Sequence, residues 1–333
     1  MSVPSIFRMG YYWEAKIFLT SVKLDPYSVL SEGPQNATQV ARRAGADLDG
    51  MTRLLDALVT LELLKKEGDL YTNTPQVSEF LVKTSPFYMG ELMLLQDAEW
   101  NHWGQLETII RTGKSLVRGN LFMNRPDVAG HALKVLDRMA RRSAPDLAKK
   151  IDLSSYRTFL DVGGGAGAYS IHFCRQNPAL RATLFDLPET LSTTRKVLES
   201  EAMQDRIHVV AGNFNSDPLP DMYDVIFLSD ILHYQTHDQN AALIQKLYQA
   251  TRPGGRIIVK DMFLGEDPTH PGWNAIFSLH LMVYTEAGRC FHLAEARSWI
   301  EKSGYMQITE VERNTVLMAV KGGTSLPFPE GLR

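Results

Sequence analysis

The chain has 333 residues, of which 44% are hydrophobic and 22% are charged, a composition typical of globular proteins with about two domains. A formal net charge of −3 leaves no basic excess to neutralise phosphates, which argues against nucleic acid as the main partner. Two cysteines predict no disulfide framework, and neither a signal-peptide pattern nor an apolar run near the ~20 residues of a membrane helix occurs. We therefore expect a cytoplasmic protein without a membrane partner.

The first hundred residues have the pattern of a winged-helix domain. Asn36, with Gln39 three residues later, forms a capping box that predicts the start of one helix, and Asp47 predicts the start of a second. Gly68 and Asp69 then turn a short hairpin. The order helix, turn, helix and hairpin is that of a helical winged-helix domain with the hairpin as its wing.

Such a domain often binds DNA, but its charges here do not favour that function. Residues 1–125 carry 13 Lys and Arg against 14 Asp and Glu, and Asp47, Asp49, Asp56 and Glu62 make the second helix acidic. A DNA reader requires a basic stripe on this helix. We therefore expect the apolar helix faces to pack against a second copy of the chain in a homodimer.

Residues 101–150 are predicted to be connecting helices. Apolar residues from Trp100 to Ile110 have helical spacing, and Gly113 ends that element. A second amphipathic helix is predicted over 133–142, with Pro145 marking its end region.

From about residue 151, strand-like segments alternate with helical ones, which predicts a mostly parallel sheet covered by helices on both faces. The predicted strands are 158–161, 182–186, 207–210, 224–229, 256–260, 306–311 and 315–321, with a turn at 253–255 before the fifth. The last two form an antiparallel hairpin, an ending unlike that of most dehydrogenases and typical of class I methyltransferases. The predicted divisions are a winged-helix domain at 1–100, connecting helices at 101–150, an α/β domain at 151–323 and a tail at 324–333.

The first of these strands runs into a glycine-rich turn. Asp161 ends the strand, Gly163 and Gly165 follow, and a helix opens near Tyr169. Glycines let the backbone approach a ligand, and the helix N-terminus offers unpaired N–H groups, so this turn predicts a nucleotide site. The same spacing satisfies a dinucleotide fingerprint, and the turn alone does not choose between cofactors.

In open α/β sheets, ligands bind beyond the carboxyl ends of the strands. Asp186 ends the second strand 21 residues after Gly165, where a carboxylate can accept both ribose hydroxyls or, alternatively, cap the next helix. Asn213 and Phe214 suit an adenine by amide hydrogen bonding and ring stacking, or form an ordinary loop. The other polar strand ends are Asp161, Ser229 with Asp230 and His233, and Asp261.

Taken together, the motifs resemble the S-adenosylmethionine-dependent O-methyltransferases of the plant caffeate and bacterial aromatic-polyketide type. The resemblance covers nearly the whole chain, and its motifs are DVGGGAG at 161–167, FDLP at 185–188, GNF at 212–214, ILH at 231–233 and PGGRIIV at 253–259. It implies a class I methyltransferase domain and a winged-helix domain that serves dimerisation. It further implies methyl transfer from S-adenosylmethionine to a hydroxyl of a small, aromatic metabolite.

The resemblance also implies roles for individual residues. The expected cofactor-binding residues are Ser143, Asp161, Gly163, Gly165, Asp186, Leu187, Asn213, Phe214 and Ser229. Met139 is expected to line the acceptor pocket, and His233 stands where the family keeps its general base. Trp273, Phe277 and Met282 either line a flat acceptor site or belong to the core. No metal ion is expected.

Several positions depart from the family pattern. Asn213 replaces an aspartate, Ser229 a lysine of the plant members and Tyr234 an aspartate, while Cys290 stands in place of the glutamate that typically supports the histidine. Because a histidine without a carboxylate partner loses orientation and basicity, the sequence predicts a weakened base at His233.

The chemistry of the base follows from ordinary pKa values. A phenol near ~10 must lose its proton, and an imidazole near ~6.5 within hydrogen-bonding distance can accept it. The alternative for His233 is a histidine that only bonds to backbone groups. C- or N-methylation, a cofactor-assisted reaction without methyl transfer, and a winged-helix regulator that responds to a ligand remain open as functions.

Overall fold

The computed structural model describes residues 10, 12–118 and 126–323. These residues divide into two compact units. One contains the residues up to Trp103 together with 130–135, and the other contains the remaining residues from Gly104 onward. The predicted domain limits stay predictions, and the predicted tail at 324–333 lies outside the described residues.

The first unit is mainly helical with one small sheet. Numbered in chain order over the described residues, its elements are α1 (Trp13–Leu24), α2 (Pro26–Leu30), β1 (Gln35–Asn36), α3 (Ala37–Ala44), α4 (Leu48–Thr60), β2 (Leu64–Glu67), β3 (Leu70–Asn73), α5 (Pro75–Phe80) and α6 (Gly90–Trp103). The strands pair in the order β1-β3-β2. The predicted helix, turn, helix and hairpin are confirmed, and β1 adds a strand too short for periodicity to reveal.

The helix starts of this unit follow from local hydrogen bonds. The Asn36 side chain accepts from the Gln39 amide at 3.0 Å, and the Gln39 side chain accepts from the Asn36 amide at 2.9 Å. Asp47 accepts from the amide of Gly50 at 2.9 Å. These bonds satisfy amide groups that a helix leaves unpaired, which is why the capping residues predicted both boundaries.

The second unit is a sheet with helices on both faces. Its helices are α7 (Leu106–Thr112), α8 (Pro126–Lys150), α9 (Ala168–Gln176), α10 (Pro188–Ser200), α11 (His237–Ala250), α12 (Gly272–Tyr284) and α13 (Leu293–Lys302), and residues 130–135 of α8 belong to the first unit. Its strands are β4 (Thr158–Val162), β5 (Arg181–Asp186), β6 (Ile207–Ala211), β7 (Tyr223–Ser229), β8 (Thr251–Lys260), β9 (Tyr305–Glu312) and β10 (Val316–Lys321).

The strand order is β6-β5-β4-β7-β8-β10-β9, with the first five strands parallel. β10 runs antiparallel to both β8 and β9, which confirms the predicted closing hairpin. The break between the last two strands falls at Asn314, whose φ is +52°. The fold is therefore that of a class I methyltransferase sheet.

Three predicted boundaries were wrong. α8 continues through Pro145 to Lys150 rather than ending near residue 142. A proline inside a helix costs about 3 kcal/mol, but Leu147 and its neighbours in the same helix are buried, and that burial offsets the cost. The predicted turn at 253–255 is a register shift within β8, and the element from Trp100 to Gly113 is two helices.

Apolar side chains on alternate positions of the central strands bury both faces of the sheet. Phe159 and Phe227 point into one buried cluster, and Leu160 and Ile226 point into the other. This packing fixes the strands, so that the polar residues at their carboxyl ends are held at one edge. Among the described residues, no helix is long and apolar enough to cross a membrane.

Candidate active site

The glycine turn after β4 adopts backbone angles that favour glycine. Gly163 and Gly165 have φ of +67° and +56°. A Cβ at Gly163 would lie 2.6 Å from Cδ1 of Ile231, so a larger residue would collide there. The amide of Gly163 donates to the carbonyl of Phe185 at 2.8 Å, which ties the turn to the end of β5.

Asp186 lies against this turn, at the end of β5. Its Oδ2 accepts from the amide of Gly165 and its Oδ1 from the amide of Leu187, both at 2.7 Å. Burial raises the pKa of Asp186, although these two amide bonds act in the opposite direction. Each carboxylate oxygen keeps a second lone pair, so the side chain can still accept from a ribose diol.

Two other predicted cofactor residues lie around the same turn. Asp161 is 1% exposed and accepts from the Ser170 hydroxyl at 2.6 Å, and burial raises its pKa to about 7. Asp161 packs closely against the turn, since a Cβ at Gly164 would lie 2.7 Å from Cγ of Asp161. Ser143 is exposed and its hydroxyl lies 2.8 Å from that of Tyr169.

The loop after β6 holds the predicted adenine residues. Oδ1 of Asn213 accepts from the amide of Asn215 at 2.9 Å, so this oxygen stabilises the loop itself. Phe214 is half-buried, and its Cε1 lies 3.7 Å from the Cβ position of Gly163. Phe214 is thus brought to the glycine turn, whereas the Asn213 oxygen has the local role of an ordinary loop residue.

His233 lies in the short 3₁₀ helix Leu232–Tyr234 that follows β7, and it is 3% exposed. Its Nδ1 lies 2.6 Å from Oδ1 of Asp261, and its backbone amide donates to Oδ2 of Asp261 at 3.3 Å. Its Nε2 is buried and has no hydrogen-bond partner within the described part of the chain. A carboxylate on Nδ1 favours the tautomer with the proton there, which leaves Nε2 as an acceptor.

The prediction that His233 lacks a carboxylate partner was wrong, because the structure supplies one. In the family pattern a glutamate at the position of Cys290 supports the histidine. Here Asp261, just past the end of β8, supplies that carboxylate instead. Cys290 itself lies in a buried apolar cluster with Leu264 and Leu281, and burial raises its pKa to about 12. The sequence contains a signal for this partner, because Asp261 is a polar residue at a strand end, but the pairing of β7 with β8 is needed to place it beside His233.

The charges around His233 act in opposite directions on its pKa. Burial lowers the pKa, but the charge and hydrogen bond of Asp261, with a further contribution from Asp230, raise it by more. The net shift of the His233 pKa is upward from the ordinary value. Because Asp261 remains beside it, the imidazolium formed after proton transfer would be stabilised.

Aromatic rings cover His233 on the side of α12. The ring of Tyr234 lies 4.2 Å from the imidazole, and that of Phe277 stands edge-on at 5.4 Å. Phe277, His280 and Tyr284 stack along one face of α12 with centroids 5.4 and 5.1 Å apart. The sequence left Phe277 open between an acceptor-site wall and the core, and it gave Tyr234 only as a departure from the family pattern.

The other predicted acceptor residues are less close to this wall. Met139 and Trp273 are 52% and 64% exposed, and no ring contact joins Trp273 to His233 in the described structure. Met282 is half-buried. Ser229 uses its hydroxyl to donate to Asp230 at 2.7 Å. The acceptor roles of Met139, Trp273 and Met282, and the cofactor role of Ser229, stay predictions.

The arrangement fits S-adenosylmethionine. The buried carboxylate of Asp186, which can accept from a ribose, lies against a glycine turn, and the Nε2 of His233, without a partner among the described residues, lies past the neighbouring strand. Residues 121–306 match the model of the O-methyltransferase domain, and residues 8–84 match that of the O-methyltransferase dimerisation domain.

Two methyltransferases from Streptomyces are similar to this chain over most of its length. The tetracenomycin polyketide synthesis 8-O-methyltransferase TcmO of Streptomyces glaucescens is 32% identical over 89% of both chains. The 3-hydroxy-5-methyl-1-naphthoate 3-O-methyltransferase of Streptomyces sahachiroi is 29% identical over 90% of this chain and 88% of that protein.

A solved structure shares the fold. Human N-acetylserotonin methyltransferase in complex with S-adenosylmethionine has a TM-score of 0.84 and 24% identity, over 97% of this chain and 99% of that chain. The domain model spans more than half of the 333 residues. With the sheet, the glycine turn and both domain matches in agreement, the chain belongs to the O-methyltransferase family and is an S-adenosylmethionine-dependent methyltransferase.

Proposed function

We propose that His233 takes the proton from a hydroxyl group of a small aromatic acceptor as that oxygen is methylated. The observation that carries the proposal is the buried imidazole, whose Nδ1 lies against Asp261 and whose Nε2 has no hydrogen-bond partner among the residues that the structure describes. S-adenosylmethionine supplies an activated sulfonium methyl group when it is bound. The chain must then bring the acceptor oxygen into line with that methyl group and receive a proton from it.

Each group around the imidazole has a distinct part in this proposal. Asp261 holds the ring and stabilises its positive charge after the proton arrives. Phe277 and Tyr234 exclude water from the ring and offer flat apolar surface to an aromatic acceptor. We propose that Gly163, Gly165 and Asp186 hold the cofactor, with Phe214 near its adenine.

The acceptor class is proposed from the aromatic wall and from two relatives, one named for 8-O-methylation in tetracenomycin polyketide synthesis and one for 3-O-methylation of a hydroxylated naphthoate. A panel of hydroxylated naphthoates and larger fused phenols, incubated with S-adenosylmethionine, should yield products heavier by one CH₂ in mass spectrometry. A panel of aromatic amines of similar size serves as the comparison. Product from the amines alone would overturn the hydroxyl assignment in favour of N-methylation.

Asp186→Ala should weaken cofactor binding by about 1–3 kcal/mol, because it leaves buried amides of the turn without acceptors and removes the ribose contact. Isothermal titration with S-adenosylhomocysteine measures this loss. Glu189→Ala is the matched control, since Glu189 is exposed in the next helix. Equal affinities of the two variants would contradict the role of Asp186.

We further propose that the protein is a homodimer in the cytoplasm. The match of residues 8–84 to a dimerisation domain supports the dimer, and two unpaired buried cysteines suit a reducing compartment. Light scattering at micromolar concentration should give about 75 kDa, twice the chain mass of 37.4 kDa. A mass near that of one chain would contradict the dimer.

A further inference from the structure

A second charged pair lies beside His233 and has no part in the mechanism above. Nζ of Lys260, the last residue of β8, lies 2.7 Å from Oδ2 of Asp230, just past β7. The backbone of the same two residues is also joined, because the amide of Asp230 donates to the carbonyl of Lys260 at 2.9 Å. The lysine side chain is only 15% exposed. A buried ammonium needs a charged partner, and Asp230 is that partner.

Asp230 adopts a strained backbone to reach this position. Its φ is +57°, in the left-handed region that side chains other than glycine rarely enter. Such a conformation persists only where surrounding contacts hold it. Here the Ser229 hydroxyl and the Lys260 ammonium both bond to Oδ2 of Asp230. The contacts therefore fix the carboxylate at the end of β7.

This position brings the carboxylate to the imidazole. A carboxylate oxygen of Asp230, a ring nitrogen of His233 and a carboxylate oxygen of Asp261 all lie within 4.8 Å of one another. The imidazole thus has two carboxylates close to it, although a base needs only one for orientation. Two uncompensated negative charges would hold a proton on the ring before any acceptor arrives, and a protonated imidazole cannot act as a base.

We propose that Lys260 neutralises Asp230 and thereby keeps more of the His233 imidazole uncharged, and able to accept a proton, before the acceptor hydroxyl is in place. The pair Lys260–Asp230 is then a positioning and charge-balancing pair, and neither residue touches the acceptor. This inference rests on the proposed role of His233 as the base. Lys260 also reaches the carboxyl end of β7, where it is paired in the sheet with Ser229.

Other groups face the same cluster from the surrounding elements. His280 approaches from α12, and its pKa is lowered by burial and by the charge of His233. The Tyr169 ring, from α9, lies 5.6 Å from Nζ of Lys260. The Tyr234 ring is tilted against the imidazole, and the Cys290 thiol lies near Asp261 with a raised pKa. At neutral pH, none of these groups supplies the positive charge that would replace Lys260.

The directions of the pKa shifts agree with this balance. Burial would raise the pKa of Asp230, but the Lys260 charge, followed by that of His233, lowers it overall. Burial would lower the pKa of Lys260, but the charge and hydrogen bond of Asp230, together with Tyr169 and Asp261, raise it overall. Asp230 and Lys260 thus act on His233 with opposite signs, raising and lowering its pKa respectively.

The test is a direct titration of the His233 ring by NMR in the full-length protein with ¹³C-labelled histidine. The chain has nine histidines, and the His233 signal is assigned by its loss in His233→Gln. Lys260→Met should raise the titration midpoint of His233 by about one pH unit or more, and Asp230→Asn should lower it by a similar amount. The double variant should return the midpoint close to that of the wild type, and Lys260→Arg should leave it unchanged.

The directions in which the His233 titration midpoint moves in these variants distinguish charge balance from a structural role. Thermal unfolding and S-adenosylhomocysteine titration establish that each variant is folded, and Asp230→Asn with the double variant still decides the question if Lys260→Met is unstable. Midpoints that stay in place, or that move in the same direction in both single variants, would overturn the proposal. If the midpoints move as expected while His233→Ala keeps full turnover, the charge balance stands and the assignment of His233 as the base fails.

Discussion

His233→Ala should lower turnover by about 10²–10⁴, the usual share of general base catalysis, while S-adenosylhomocysteine binds nearly as in the wild type. The loss follows from the removal of the only acceptor that the mechanism assigns to the hydroxyl proton. Because Asp261 orients the ring, we expect the upper part of this range rather than the lower part that an unsupported histidine would give. Turnover and calorimetric affinity, measured on the same preparation, distinguish catalysis from binding.

The matched control is His208→Ala, an exposed histidine near the start of β6. It should keep both turnover and affinity. If His233→Ala also kept full turnover, the histidine would be structural, and the enzyme would act by positioning an acceptor that is already nucleophilic.

The pH dependence has a definite sign in this account. Only the unprotonated imidazole accepts a proton, so the rate should rise with pH through the pKa of His233. Since the neighbouring carboxylates raise that pKa, the midpoint should lie above the ordinary ~6.5 of histidine. A rate that falls with pH over this range would indicate that the protonated ring is the active form.

Asp261→Asn should lower turnover by a similar factor of about 10²–10⁴, the second large effect that we expect. An asparagine can present its NH₂ group to Nδ1, which favours the tautomer with the proton on Nε2. The nitrogen that faces the acceptor would then be a donor instead of an acceptor. The loss should appear in the maximal rate, with cofactor affinity retained.

Asp267→Asn is the same change at an exposed aspartate and serves as its control. Thermal unfolding of both variants identifies any part of the loss that comes from instability, because Asp261 also accepts from the amides of His233 and Met262. Equal turnover in the two variants would remove Asp261 from the mechanism.

Local chemistry explains how much of the fold was predictable. The boundaries of α3 and α4 were predictable because Asn36 and Asp47 satisfy helix amides within four residues of themselves. Strands β4 to β10 were predictable because apolar runs ended at glycine, asparagine or aspartate. The helix end predicted near Pro145 was wrong because burial of that helix, a tertiary effect, outweighs the local cost of a proline inside a helix.

The site was less predictable than the fold, because its contacts join strands that are distant in sequence. Asp186 meets Gly165 at the edge of neighbouring strands, as the motif spacing suggested. The partnership of His233 with Asp261 spans 28 residues and depends on the order of β7 and β8 in the sheet. The departure at Cys290 suggested a missing carboxylate, whereas only the three-dimensional arrangement showed another one in its place.

The central claim is that His233 enables methyl transfer to oxygen. Its most direct test is incubation with S-adenosylmethionine carrying a ¹³C-labelled methyl group and an acceptor from the hydroxylated aromatic panel, followed by NMR of the product. We predict a labelled methyl ether from the wild type and little product from His233→Ala at neutral pH. Label on nitrogen or carbon, or equal ether formation by both proteins, would contradict the account.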